Sequence, residues 1–309
     1  MKKCLTLVLA LLVHTSVHAA NAATAAATAA ANTAPQPGMV VNAHWLAEHL
    51  SDPGMVLLHV GSKDEYRSRH LPGARLVTLA DISVERDELT LELPSEAQLK
   101  RRLGALGIDK ASTVVVYYGK DQIASATRVV FTLYAAGLGD HVVLLDGGMG
   151  EWSRLGQPTT AQVPREASGA GPDVHFLPVI VDAAFVRAHA HTPGYTLIDA
   201  RAPVYYDGVE ASGDMRKMRN GHIPGARNIP YTSVVNTDLT LKPRAQLEAL
   251  FRAAGVGPAA HLIVYCHIGQ QATAILFAAR ELGIDAVLYD GSFEDWTWHD
   301  GQVEARAEH

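Results

Sequence analysis

Short runs of β-branched and aliphatic residues, such as Val114 to Tyr118 and Leu262 to Tyr265, alternate along this chain with longer helical patterns, such as Arg128 to Ala136 and Ala272 to Glu281. The runs show no polar alternation, as expected for strands buried on both faces. Strand and helix in turn predict an α/β fold, with a parallel sheet flanked by helices on both faces.

The pattern is written twice. VNAHWLAEHL (41–50) resembles VDAAFVRAHA (181–190), LLHV (57–60) matches LIDA (197–200), and RHLPGAR (69–75) matches GHIPGAR (221–227). Further on, STVVVYY (112–118) matches AHLIVYC (260–266), and LGDHVVLLDGGMGEW (138–152) matches LGIDAVLYDGSFEDW (282–296). Blocks kept in one order mean a duplicated domain. The predicted domains are residues 39–156 and 179–300, joined by a Pro-, Gly- and Ala-rich linker at 157–178, with a tail at 301–309. The second copy carries an insertion between Tyr206 and His222.

Composition narrows the function class. The chain has 309 residues, of which 48% are hydrophobic and 19% charged, enough for two globular domains. A net charge of −6, with no basic run, gains nothing from a polyanion, so no nucleic-acid partner is expected. Residues 1–19 combine Met1-Lys2-Lys3, an apolar run from Leu5 to Val13 and a Val17-His18-Ala19 end, the pattern of a cleaved signal peptide. The run is too short to cross a bilayer, so export, most simply to a periplasm, is expected without stable membrane insertion. Residues 20–38 are a low-complexity, Ala-rich tether.

Cys4 would leave with the signal, so Cys266 is the one cysteine of the mature chain. A thiol without an intramolecular partner in an exported protein is either reactive or a small buried apolar residue, and both readings stand on count alone. Comparing the copies separates scaffold from chemistry. Pro-Gly turns, the Asp-Gly pairs and Trp152 with Trp296 occur in both and read as turns and packing. By contrast, Cys266 faces Tyr118, Asp199 faces His59 and Arg201 faces Gly61, which places any chemistry in the second copy. Cys266 also stands at the carboxyl end of a strand, where α/β sheets bind ligands. The turn from His267 to Gln271, running into a helix near Ala272, favours an anion at its centre and so a nucleophilic thiolate.

GHIPGARNIPY (221–231), IVYCHIGQQAT (263–273) and LYDGSFEDW (288–296), in this duplicated order, resemble the tandem rhodanese sulfurtransferases, over roughly residues 40–300. The resemblance implies an inactive first domain and a Cys266 that takes a sulfane sulfur from thiosulfate or 3-mercaptopyruvate. The resulting persulfide would pass its sulfur to a thiophilic acceptor, cyanide or a thiol. It implies that the amides of His267, Ile268, Gly269, Gln270 and Gln271 hold the outer sulfur, with no metal or organic cofactor. The loop matches neither the basic loop of the mammalian thiosulfate enzymes nor the Gly-Ser-Gly type of the mercaptopyruvate enzymes. Tyr205 stands near the position of a family arginine, leaving Arg219, then Arg216, as candidate contacts for the donor's anionic group. A solvated basic loop including Lys217 is the equal alternative. Asp199 and Arg201 are read as bracing the site, and His267 either as a protonated stabiliser of anionic sulfur or as an exposed loop residue.

Rival chemistries fit less well. A cysteine phosphatase needs Cys-x5-Arg, and Ala272 stands where that arginine belongs. His189 and His191, two apart in a helical pattern, point to different faces and complete no metal site. The alternative from another class is a sulfur carrier fed by a partner protein and slow with small donors.

Overall fold

The computed structural model describes residues 38–120, 123–210 and 218–305. The expected signal peptide and nearly all of the expected tether lie outside the described residues, as do Arg216 and Lys217. Ten strands form two five-stranded parallel sheets of identical plan. The first is built from β1 (Val40–Val41), β2 (Met55–Val60), β3 (Arg75–Val77), β6 (Thr113–Tyr118) and β7 (Val142–Leu145), in the order β1-β7-β6-β2-β3. The second, from β8 (Ile180–Val181), β9 (Tyr195–Asp199), β10 (Arg227–Asn228), β11 (His261–Tyr265) and β12 (Ala286–Tyr289), runs β10-β9-β11-β12-β8. Read from the opposite edge, the second order reproduces the first, as the repeat requires. Between β3 and β6 the chain adds a hairpin, β4 (Val84–Arg86) and β5 (Leu89–Glu92), turned by Asp87 and Glu88 at φ 51° and 66°. Its left-handed turn suits the twist of antiparallel strands, and the apolar-run reading of the sequence missed it.

Both sheets are buried on both faces, and the faces divide by residue parity. Val114, Val116 and Tyr118 of β6, with Leu262, Val264 and then Cys266 of the second copy, join one core cluster that contains residues of both sheets. The alternate residues Val115 and Tyr117 enter a second cluster confined to the first copy, and Ile263 and Tyr265 a third confined to the second. The period-two rule of a strand therefore sends Cys266 and Tyr118 to the side shared by the two halves. There the helices Ile123–Leu133 and Ala272–Glu281 pack together, with Thr127 Oγ1 and Thr273 Oγ1 2.9 Å apart.

Shared positions turn out to be scaffold. Tyr117 Oη accepts the backbone N–H of Leu71, and Tyr265 Oη that of Ile223, each at 3.0 Å. Tyr66 and Tyr206 donate to the carbonyls of Ala74 and Ala226, both at 2.7 Å. Trp152 and Trp296 each bury an indole whose N–H finds a carbonyl six residues on, Pro158 or Gln302. These bonds pin the two Pro-Gly turns to the ends of the central strands. The helical pattern of Arg128 to Ala136 is realised earlier than the sequence suggested: Ile123–Leu133 is α-helical, and a wider turn, Tyr134–Leu138, follows with Gly137 at φ 84°. His191 lies past the end of the helix Ala183–His189, so it does not share a helix with His189.

Tyr265→Phe removes the acceptor for a buried amide and leaves the Ile223 N–H unpaired. The expected loss is about 1–3 kcal/mol of unfolding free energy, measured by urea titration; an unchanged midpoint would show the turn is held by other means.

Candidate active site

Cys266 follows β11 directly and is fully buried. Its backbone is clamped from beneath by the turn after β12. The Cys266 N–H donates to Ser292 Oγ at 3.2 Å, and Ser292 Oγ donates to the Tyr289 carbonyl at 2.9 Å. Ser292 sits at φ 54°, in the left-handed region, where its first-copy counterpart is Gly148 at φ 52°. The sequence comparison read the shared Asp-Gly pairs as turns; the residue after each pair differs, and only the serine supplies an acceptor under the cysteine. A side chain at Gly148 has no room, since an added Cβ meets the Tyr118 carbonyl at 2.6 Å. The carbonyls of Cys266 and His267 accept the N–H groups of Phe293 and Glu294, both at 3.0 Å.

With its carbonyls and first amide engaged, the rest of the loop keeps its donors free. The backbone N–H groups of residues 267–272 donate to no protein acceptor among the described residues. Gly269, at φ 79°, makes the turn: an added Cβ would meet the Asp290 carbonyl at 2.6 Å. These amides and the start of the helix Ala272–Glu281 form a cradle suited to negative charge on the cysteine sulfur or on an atom bonded to it. Ile268, Gln270 and Gln271 are half-buried parts of the same turn, and the Gln270 carbonyl accepts Thr273 Oγ1 at 2.7 Å.

The first copy reaches across to fix this loop. Arg128, fully buried on the helix Ile123–Leu133, donates to the Gly269 carbonyl at 3.0 Å, pairs with Asp290 and donates to the Leu91 carbonyl of the hairpin. Gln270 Nε2 donates to Ser125 Oγ at 2.8 Å. Thr90 donates through both its N–H and its hydroxyl to Glu294 Oε2, at 2.9 and 2.8 Å. Sequence reasoning missed Arg128, Ser292 and Asp290. The signal for Arg128 was present, because it is the one charged residue in an otherwise apolar helical run; a lone arginine in an apolar helix is buried only against partners.

Asp199 and Arg201, expected to brace the site, pair with each other and hold the Gly221 carbonyl. The Asp199 carboxylate at the end of β9 accepts the Arg201 N–H at 2.9 Å and its Nε at 3.0 Å, while Arg201 Nη2 donates to the Gly221 carbonyl at 2.7 Å. Both side chains are fully buried, and the guanidinium lies 3.9 Å over the Phe293 ring. Arg201 Nη1 is left with no partner among the described residues. The reading of His267 as a protonated stabiliser is overturned. Its ring is buried edge-on against Tyr205 at 4.9 Å. Burial first, and then the positive charge of Arg201, depress its pKa from 6.5 to about 4, so it is neutral near pH 7. It is not an exposed loop residue either. Arg219 is exposed, and no described contact joins it to the Cys266 loop. It precedes by two residues the Gly221 carbonyl that Arg201 holds. No cluster of three or more His, Cys, Asp or Glu side chains that could hold a metal is present among the described residues.

Comparison with known proteins gives the same arrangement a lineage. The rhodanese-like domain family matches twice, at residues 42–155 and 182–298. The chain is 29% identical to a thiosulfate sulfurtransferase of Cricetulus griseus over 86% of its own length and 94% of that protein. It is 31% identical to the sulfur carrier protein TtuD of Thermus thermophilus, over 84% and 94%. It is also 29% identical to the 3-mercaptopyruvate sulfurtransferase of Escherichia coli, over 83% and 94%. Among solved structures, an anaerobic ergothioneine biosynthesis enzyme from Chlorobium limicola superposes with a TM-score of 0.78 at 24% identity, covering 89% of this chain and 72% of that one. YnjE does so equally, with a TM-score of 0.78 at 24% identity over 89% and 70%. These two speak to the fold alone. With both halves of the chain matched, this protein belongs to the rhodanese-like family and carries two copies of its domain.

Proposed function

We propose that the protein is a sulfurtransferase in which Cys266 carries the sulfur. The observation that supports this most is the cradle itself: a buried cysteine at a strand end, ringed by backbone N–H groups that have no acceptor among the described residues. With thiosulfate, the Cys266 thiolate attacks the outer sulfur, the S–S bond breaks and sulfite leaves with the bonding pair. The enzyme then holds a persulfide whose terminal sulfur carries the negative charge, stabilised by the amides of the loop. A nucleophilic acceptor, cyanide or a thiolate, attacks that sulfur, and the Cys266 thiolate departs. Two half-reactions through one covalent form give ping-pong kinetics. The burial of Cys266 protects the persulfide from water.

The relatives named for thiosulfate and for 3-mercaptopyruvate match at similar identity, which supports an anionic donor of either kind, with Arg219 as the candidate contact for its anionic group. A second reading has its own support: one relative is named a sulfur carrier protein, and Arg219 is not drawn into the cradle. On that reading a partner protein loads Cys266. An amino-terminal signal, residues 1–19, would put either activity in an exported protein.

Cys266→Ser is expected to abolish thiocyanate formation while its unfolding midpoint stays near that of the parent; transfer at the parent rate would exclude Cys266 as the sulfur carrier. Arg219→Ala is expected to raise KM for thiosulfate or 3-mercaptopyruvate about tenfold with kcat little changed, the signature of lost ground-state binding. Unchanged kinetics would return Arg219 to a solvated surface role.

Arg128→Leu strands Asp290 as a buried unpaired charge and frees the Gly269 carbonyl. The expected cost is about 3–5 kcal/mol of stability, with a lower single-turnover rate in the fraction that remains folded. Parent-like values of both would remove Arg128 from the account.

His267 and His59 both fall from a pKa of 6.5 to about 4 in the folded chain, chiefly through burial. Below pH 6.5 the unfolded chain therefore binds protons that the fold refuses, so stability is full above that pH and is lost as pH falls toward 4. His267→Asn should flatten part of this decline in urea midpoints; a midpoint independent of pH across the window contradicts the burial of these rings.

A further inference from the structure

The first copy is not merely the second with its cysteine replaced. Tyr118 occupies the place of Cys266 and donates its hydroxyl to the Leu239 carbonyl of the second copy at 2.7 Å. Beside it lies a cavity of about 830 Å³, on the face of the first copy that matches the Asp199–Arg201 region of the second. The substitutions change its lining. Gly61 stands for Arg201, so the first copy supplies no guanidinium there and His59 and Glu65 close on the Gly61 backbone instead; Met149 stands for Phe293, on whose ring the Arg201 guanidinium rests in the second copy. His59 stands for Asp199, and Glu65 for Tyr205.

The lining is polar where a cation is missing. His59 lines the cavity, is 1% exposed, and neither of its ring nitrogens has a hydrogen-bond partner among the described residues. Ser153 Oγ, also on the wall, is buried and unpaired. Buried polar groups without partners are uncommon, and each calls for an explanation. His59 Nε2 and Glu65 Oε2 converge on Gly61: a Cβ built there meets them at 2.7 and 3.2 Å. The Glu65 carboxyl is held below its usual range, first by the Ser62 backbone N–H, and so stays ionised. The burial-lowered pKa of His59 keeps its ring neutral and able to accept a hydrogen bond. Asp64 and Asp238 add carboxylates to the wall, whereas Arg69 and Lys120 carry the positive charge.

We propose that this cavity is a second ligand site, which takes a small zwitterion with a guanidinium or ammonium head and a carboxylate tail. The head sits in the cavity against Glu65 and the Met149 thioether, beside His59. Arg69 and Lys120 receive the tail. The volume lies within the range of small-molecule pockets. The second copy thus supplies its own guanidinium, and the first accepts one from solution.

Isothermal titration of the full-length protein with L-arginine tests this, with citrulline as the uncharged isostere. Saturable binding of arginine at micromolar to millimolar concentration is expected, with citrulline at least about tenfold weaker. Glu65→Gln, which keeps a group able to cap its helix, should weaken arginine about tenfold. The double variant His59→Asp with Gly61→Arg rebuilds the second-copy pair, fills the cavity from within and should abolish binding. Cys266→Ser should bind as the parent does. No saturable heat with arginine, equal affinity for citrulline, parent affinity in Glu65→Gln, or loss of binding in Cys266→Ser would each overturn the proposal.

Discussion

The site depends on one buried cation shared between the halves. Arg128 leaves the first copy with its guanidinium fully desolvated and meets Asp290, the Gly269 carbonyl and the Leu91 carbonyl. A buried ion pair contributes little net stability against a well-packed apolar alternative. What it supplies is position. Asp290 carries the turn that places Ser292 under Cys266, and Gly269 is the residue whose left-handed backbone shapes the cradle. One guanidinium therefore ties both walls of the loop to the other domain. A single rhodanese-like domain would have to close this constellation by other means, which gives the non-cysteine copy a physical role.

The two copies show how a duplicated scaffold separates packing from chemistry. Tyr117 and Tyr265, Tyr66 and Tyr206, and the two tryptophans make the same hydrogen bonds in each half. These bonds hold turns against strand ends and have no reason to change. Divergence is concentrated at the carboxyl ends of the strands: Cys266 against Tyr118, Arg201 against Gly61, Ser292 against Gly148. Each difference has a steric or electrostatic consequence in its own half. Tyr118 excludes any side chain at Gly148, and His59 and Glu65 close on Gly61 where the second copy extends Arg201.

Much of this was legible in the sequence, because period and repetition are properties of the chain alone. Unbroken apolar runs identified parallel strands, the repeat identified the pairs to compare, and the misfit of Cys266 with Tyr118 located the candidate site. Side-chain environment was less accessible. His267 looks like an available cation beside a cysteine, yet burial against Tyr205 and the field of Arg201 keep it neutral, and both neighbours arrive from another part of the chain. Ser292 was hidden by its likeness to Gly148, since a left-handed turn reads as glycine-like whichever residue fills it. Arg128 was visible only as an exception within an apolar helix, and its meaning lies in partners on the other domain.

The central claim is that Cys266 in its cradle accepts and releases sulfur, and intact mass spectrometry of the reduced protein tests it most directly. After incubation with thiosulfate, and separately with 3-mercaptopyruvate, the account predicts the gain of one sulfur atom on Cys266 from at least one donor, removed again by cyanide as thiocyanate. A folded, reduced protein that gains no sulfur from either donor would contradict sulfur transfer from small molecules.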